Sequence, residues 1–140
     1  MIAALLLAAT VPIVPAGRTF TCTPTRVWDG DGPIWCAEGP RIRLARIAAR
    51  ELDGHCRPGS PCPKASGVAA RDHLVALLGG AKGSTSDGHI IVHGPTLTCR
   101  SDGWAKGKRT AAWCRAGALD LNKAMVRDGF ALAWDYHPRR

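Results

Sequence analysis

The chain has 140 residues, of which 46% are hydrophobic and 21% charged, and carries a formal net charge of +8. That size and content suit one domain around one apolar core and exclude a chain disordered by composition. The basic excess favours polyanionic partners, nucleic acid or an anionic cell envelope, although a charge that merely confers solubility gives the same value.

Residues 1–16, "MIAALLLAATVPIVPA", carry no charge and end on a small residue. They read as a secretory signal segment ahead of a domain spanning 17–140, with the mature chain exported to a periplasmic or extracellular space. The run falls short of the about 20 residues that a spanning helix needs, so no stable membrane span is expected in the mature chain. No basic residue precedes the apolar run, which leaves a short membrane anchor or a buried strand as alternatives.

The stretch 19–28, "TFTCTPTRVW", predicts a strand, and the acidic turn Asp29-Gly30-Asp31-Gly32 ends it. "PIWCAEG" is a second short strand, closed by a Gly39-Pro40 turn. "RIRLARIA", 41–48, alternates apolar with basic residues. It predicts a half-buried strand with Ile42, Leu44 and Ile47 inward and Arg41, Arg43 and Arg46 towards solvent or ligand, with a bulge near Ala45–Arg46. Residues 52–64 form a Gly/Pro/Cys loop. From Ala65 to Leu78 the period becomes helical, with Val68, Ala69, Leu74, Val75, Leu77 and Leu78 as the apolar set and Gly79-Gly80 as the stop. "HIIVHGPTLTC" is a strand with a Gly-Pro break, "SDGWAKGKR" a basic connection and "TAAWC" another strand. "DLNKAMVRDGFALAW" opens on Asp120 or Asn122 near an N-cap, runs as a short helix to Gly129, and ends in a last short strand within "FALAW". Three meandering strands, a helix, two strands and a helix is the order of a β-barrel with helices, specifically a five-stranded OB-type barrel with two or three packed helices.

Six cysteines, Cys22, Cys36, Cys56, Cys62, Cys99 and Cys114, all follow the signal segment. An even number in an exported chain suggests disulfides, and pairing each cysteine with its neighbour is the simplest scheme. Cys56 and Cys62 bracket the turn-rich "RPGSP" and are the easiest pair to close. A zinc site built from His55, Cys56 and Cys62 is the rival reading, but it lacks an evident fourth ligand.

Five segments occur in a telling order: "VWDGDG" at 27–32, "RIRLARIAARE" at 41–51, "ASGVAARDHLVALL" at 65–78, "AKGKRTAAWC" at 105–114 and "DLNKAMVRDGFALAW" at 120–134. As an ordered set they resemble the thermonuclease, or staphylococcal-nuclease-like, family, whose fold is the OB barrel. The resemblance implies a phosphodiesterase acting on DNA or RNA with calcium. It implies that Asp31 is a calcium ligand, with Asp29 in a supporting position, and that Arg43 holds the phosphate. Glu51 would serve as general base or water-orienting group, and Arg109 would stabilise transition-state charge.

The departures bear on the same chemistry. Where the family pattern is V/I-D-x-P-E, this chain reads Ile47-Ala48-Ala49-Arg50-Glu51. A metal carboxylate is thereby replaced by Ala48, and the family's DGDT threonine by Gly32. Calcium affinity follows the charge of its ligands, so binding is expected to weaken or be lost, unless Asp53 swings in or Arg50 takes over part of the charge.

Lys106, Lys108 and Trp104 cluster in the basic connection and are candidate nucleic-acid contacts, with Trp104 able to stack on a base or ribose. Most of the other tryptophans, Trp28, Trp35, Trp113 and Trp134, are expected in the core. His55, His73, His89, His93 and His137 have no nucleophile partner at recognisable spacing and read as surface or structural. Two functions remain: an exported, monomeric nuclease with an altered metal site, and an impaired OB module that binds single-stranded nucleic acid or another polyanion. An envelope protein whose basic face touches lipid or peptidoglycan ranks third.

Overall fold

A computed structural model describes residues 10–135. The first nine residues of the expected signal segment, and His137, lie outside them. Strands β1 (Thr19–Cys22), β2 (Pro24–Val27), β3 (Ile34–Cys36), β4 (Arg41–Leu44) and β5 (Ile47–Ala48) lead into helix α1 (Gly67–Leu77). Strands β6 (Ala81–Ser84), β7 (Ile90–Val92), β8 (Leu97–Ala105), β9 (Arg109–Ala116) and β10 (Leu119–Asp120) then lead into helix α2 (Leu121–Arg127) and strand β11 (Leu132–Ala133).

The main sheet runs β1-β8-β9-β4-β3-β2-β7-β6, with β10 beside β9, while β11 pairs with β5 in a small second sheet. Pairing is antiparallel except between β4 and β9, which run parallel with Ile42 opposite Thr110 and Leu44 opposite Ala112. Only Thr23 separates β1 from β2, yet β1 pairs with β8 and β2 with β3, near opposite ends of the strand path. One continuous stretch thus holds both flanks, and the sheet has to curl. The result is a mostly-β, curled sheet carrying two helices, in keeping with the expected class of β-barrel with helices.

Aliphatic side chains fill the curl: Val27, Ile34, Ile42, Leu44, Leu74, Leu78, Val92, Leu97, Leu121 and Met125 are all fully buried. Helix α1 starts at Ser66, whose hydroxyl accepts from the Ala69 N–H at 3.0 Å. It buries Gly67, Ala70, Leu74 and Val75, whereas Val68 is 44% exposed. Leu74, Val75 and Leu78 are buried and Leu77 packs against the core as expected, but at the start of the helix Ala70, not Val68, faces inward and meets the acidic turn. Asp120 is the N-cap of α2, accepting from Lys123 N at 3.0 Å, and Asn122 is fully buried.

Other expectations need correction. The bulge at Ala45–Arg46 is a turn between β4 and β5, with Arg46 at a φ of 62°. The basic connection is mostly strand: β8 runs to Ala105, leaving a hairpin turn with Lys108 at a φ of 61°. No tryptophan belongs to the buried core. Aliphatic chains fill the curl, and the large rings lie half-buried or exposed at the surface. Trp35 there lies beneath the guanidinium groups of Arg26 and Arg41, at 4.7 and 3.9 Å from its ring centre.

All three neighbour disulfides form: Cys22–Cys36, Cys56–Cys62 and Cys99–Cys114. Cys56 and Cys62 are therefore not thiolates, which removes the zinc alternative. Three disulfides are typical of extracellular or periplasmic proteins. Among the described residues no helix is long and apolar enough to cross a membrane. The end of the expected signal segment lies along the sheet: Val14 N donates to Thr110 Oγ1 at 3.1 Å, and Ser101 Oγ donates to the Val14 carbonyl at 2.7 Å.

Candidate functional site

The acidic turn between β2 and β3 sits between α1 and the end of β5. A Cβ on Gly30 would lie 2.6 Å from the Ala70 Cβ and 2.9 Å from the Ala49 Cβ, so this turn needs glycine there. Gly32 has a φ of 116°, and a Cβ on it would lie 2.4 Å from the Ile42 carbonyl oxygen. Glycine in place of the expected threonine thus follows from the local backbone. Asp29 and Asp31 are 5% and 8% exposed. Asp31 N donates to Asp29 Oδ1 at 3.1 Å, and Ala49 N donates to Asp31 Oδ2 at 3.0 Å.

A cleft of about 620 Å³ opens above this turn, lined by Trp28, Asp29, Asp31, Glu51, Arg57, Lys106 and Arg109. Glu51 stands at its edge on the loop after β5. Its main chain is held by Glu51 N donating to the His55 carbonyl at 2.8 Å and Gly54 N donating to the Glu51 carbonyl at 2.9 Å. The start of α1 presses on the same carbonyl, since a Cβ on Gly67 would lie 1.9 Å from it. Arg109 enters from the first residue of β9, with its Nε donating to the Lys106 carbonyl at 2.7 Å. Lys106 and Lys108 are exposed, as is Trp104.

Arg43 departs from its expected outward direction. It is 8% exposed, and its guanidinium donates to the carbonyls of Leu44 at 2.7 Å and Ile47 at 2.9 Å. Its Nη2 lies 3.5 Å from Asp31 Oδ2, and its Cζ lies 5.7 Å from the centre of the Trp134 ring. It borders a small recess behind the cleft, together with Asp31, Ala48, Glu51, Arg57 and Trp134. Arg50 serves the loop: it donates to the carbonyls of Pro63 at 2.6 Å and Gly54 at 2.9 Å.

Burial, reinforced by the charge of Asp31, hydrogen bonding with Asp31 and the charge of Glu51, pushes the Asp29 carboxyl up to about 9. Burial, then the charge of Arg43, lowers Arg109, with Arg57 contributing in the same sense. The raised Asp29 pKa has a stability consequence. The folded state holds a proton there that the unfolded chain releases near 3.8, so this contribution is full below about pH 4 and is lost as pH rises through about 9. The slope is at most about 1.4 kcal/mol per pH unit. Asp29→Asn, which keeps an acceptor for Asp31 N, is expected to flatten it and to be the more stable protein near pH 8. Urea unfolding with chelator across roughly pH 5 to 9 reads this directly, and an unchanged slope would locate the proton elsewhere.

The donor set does not fit calcium as it stands. Calcium takes about six to eight oxygen ligands. Among the described residues no group of three or more His, Cys, Asp or Glu side chains is placed to hold a metal ion. Asp31 is already bonded to Ala49 N and faces Arg43, Asp29 Oδ1 accepts from Asp31 N, and Ala48 is a buried methyl group. Asp53 is turned to His55, accepting from its N–H at 2.9 Å and pairing with its Nδ1 at 3.0 Å.

The expected histidine roles hold a simple structural form. His73 pairs with Asp128 at 2.8 Å and stacks on Phe130, and His89 packs against Trp28 and Trp35. Sequence reasoning did not single out Arg57. Its only signal was a basic residue inside the tightest cysteine bracket. No protein-family model matches the chain, and no curated protein matches it.

Proposed function

We propose that the chain is an exported OB-type domain that binds single-stranded nucleic acid through its phosphates and hydrolyses the phosphodiester bond, working as a monomer. The observation that carries this reading is the convergence of one half-exposed carboxylate, Glu51, with Arg57, Lys106 and Arg109 on one cleft. The parallel β4–β9 pair and the first strand shared between both flanks support the OB reading. The three disulfides support export.

In this mechanism a phosphate oxygen accepts hydrogen bonds from Arg109 and from the cations beside it. Glu51 accepts a proton from a water as that water attacks phosphorus opposite the leaving oxygen. The guanidinium groups offset the extra negative charge that develops on the phosphoryl oxygens, and the leaving oxygen takes a proton from solvent. Trp104, with Lys106 and Lys108, would carry the neighbouring nucleotide. No step is routed through calcium, because the donor set does not fit it.

One observation favours the second reading, a binding module without catalysis. Arg43 spends hydrogen bonds on the Leu44 and Ile47 carbonyls instead of facing the cleft. Cleavage of single-stranded DNA and RNA by the oxidised chain, with calcium and with chelator, separates the readings. Hydrolysis that survives chelator is expected, together with binding that weakens steeply with salt. Salt-sensitive binding without cleavage would establish the module instead, and neither activity would remove both.

A further inference from the structure

Arg57 lies outside every motif segment that carries the family resemblance, yet it borders both the cleft and the recess behind it. Its Nη2 is 4.0 Å from Glu51 Oε1, and its side chain is half exposed. It shares the recess with Glu51 and with Ala48, the position where the resemblance expects a second carboxylate. Four cations, Arg43, Arg57, Lys106 and Arg109, border the cleft and its recess, against three carboxylates, Asp29, Asp31 and Glu51. The surplus charge is positive and therefore suits an anion rather than a cation.

The position of Arg57 is built by its loop. Cys56, its direct neighbour, is bridged to Cys62, and the turn between them closes with Ser60 N donating to the Arg57 carbonyl at 3.0 Å. This bridge also differs from the other two in access. Cys22, Cys36, Cys99 and Cys114 are at most 7% exposed, whereas Cys56 is partly exposed and Cys62 exposed. A thiolate must reach a sulfur atom to attack it, so Cys56–Cys62 is the bridge that opens first.

We propose that Arg57 is a phosphate-binding residue of the cleft and that the Cys56–Cys62 bridge is its positioning device, so that opening the bridge weakens anion binding. The inference rests on the proposed nucleic-acid reading only for the natural ligand; the anion site itself does not require it. Opening by a dithiol breaks the S–S bond, transfers two electrons and two protons to give two cysteine thiols, and leaves the reagent as its own disulfide.

The test uses the full chain and two probes: a fluorescent single-stranded oligothymidylate, and inorganic pyrophosphate followed by its effect on the melting temperature. Arg57→Ala is expected to weaken both by about tenfold or more, Arg57→Lys to recover part of that loss, and Lys82→Ala on the exposed strand β6 to change little. Mild dithiothreitol, with alkylation and mass spectrometry confirming that only Cys56 and Cys62 are free, should weaken the wild type similarly. It should not weaken Arg57→Ala further. A Cys56→Ser/Cys62→Ser chain should match the reduced wild type. Arg57-dependent pyrophosphate binding without oligonucleotide binding would keep the clamp and remove the nucleic-acid reading. Equal affinity in Arg57→Ala, or no binding of either probe, would overturn the inference. A thiol effect that persists in Arg57→Ala would overturn the positioning role of the bridge.

Discussion

Replacing Glu51 with glutamine is expected to lower phosphodiester hydrolysis by about 10²- to 10⁴-fold, the range for removing a positioned general base. Binding of the oligonucleotide should hold or tighten, because the change removes a negative charge from a cleft that receives an anion. The fold should be indifferent. Glu51 is anchored through its main chain, by His55 and Gly54, and glutamine keeps both of those bonds. A kcat that falls with an unchanged or lower KM would therefore mark a group acting in the transition state. Undiminished cleavage would remove Glu51 from the mechanism and leave the cleft as a binding site alone. The same substitution removes one of the charges that raise Asp29. The pH dependence of stability should therefore soften as well, through a route independent of the chemistry.

Much of this site was legible because it depends on local chain chemistry. The acidic turn, the glutamate after β5 and the arginine opening β9 each lie beside turn residues that sequence reveals directly, and the fold brings all three to one cleft. The three disulfides were legible for the same reason, since each closes a short stretch. Arg43 was misread because alternation along β4 assumes one solvated face. In the structure β4 lies between β3 and β9, and Trp134 covers its arginine, so residues 42, 43 and 44 are all buried. The first turn of α1 was misread, although Leu74, Val75 and Leu78 are buried as expected, because a hydrophobic period rewards Val68. The helix instead meets the acidic turn through Ala70 and the Glu51 carbonyl through Gly67, residues whose value is their small size. Arg57 gave no periodic signal at all. Its place depends on a covalent loop, and covalent loops carry side chains to sites that no spacing rule reaches.

Asn122 is the second position where a large effect is expected, and it shows how tertiary contacts outweigh helix-start chemistry. Both Asp120 and Asn122 are polar residues near the N-terminus of α2, and sequence alone does not rank them. Asp120 caps the helix with one exposed bond to Lys123 N. Asn122 is fully buried and joins α2 to β9 and to the turn after β4: its Oδ1 accepts from Cys114 N at 3.1 Å, and its Nδ2 donates to the carbonyls of Ala45 at 2.9 Å and Ala112 at 3.1 Å. These bonds lie where the parallel β4–β9 pair ends, beside the Ala45 N to Ala112 carbonyl bond of 2.8 Å. Leucine has the same side-chain heavy-atom count and branching, so Asn122→Leu removes the bonds without opening a cavity. The Ala112 carbonyl keeps its bond from Ala45, but the Cys114 N–H and the Ala45 carbonyl lose the asparagine. At about 1–3 kcal/mol for each of these two buried groups left unpaired, the loss is about 2–6 kcal/mol, which corresponds to a melting temperature lower by on the order of 10 °C. Asp120→Ala, which removes only an exposed cap, should cost about 1 kcal/mol. Urea unfolding of the two variants under oxidising conditions compares them directly. Should Asn122→Leu prove no more costly than Asp120→Ala, the joint between α2 and the parallel strands would not be what holds the curled sheet closed on this side.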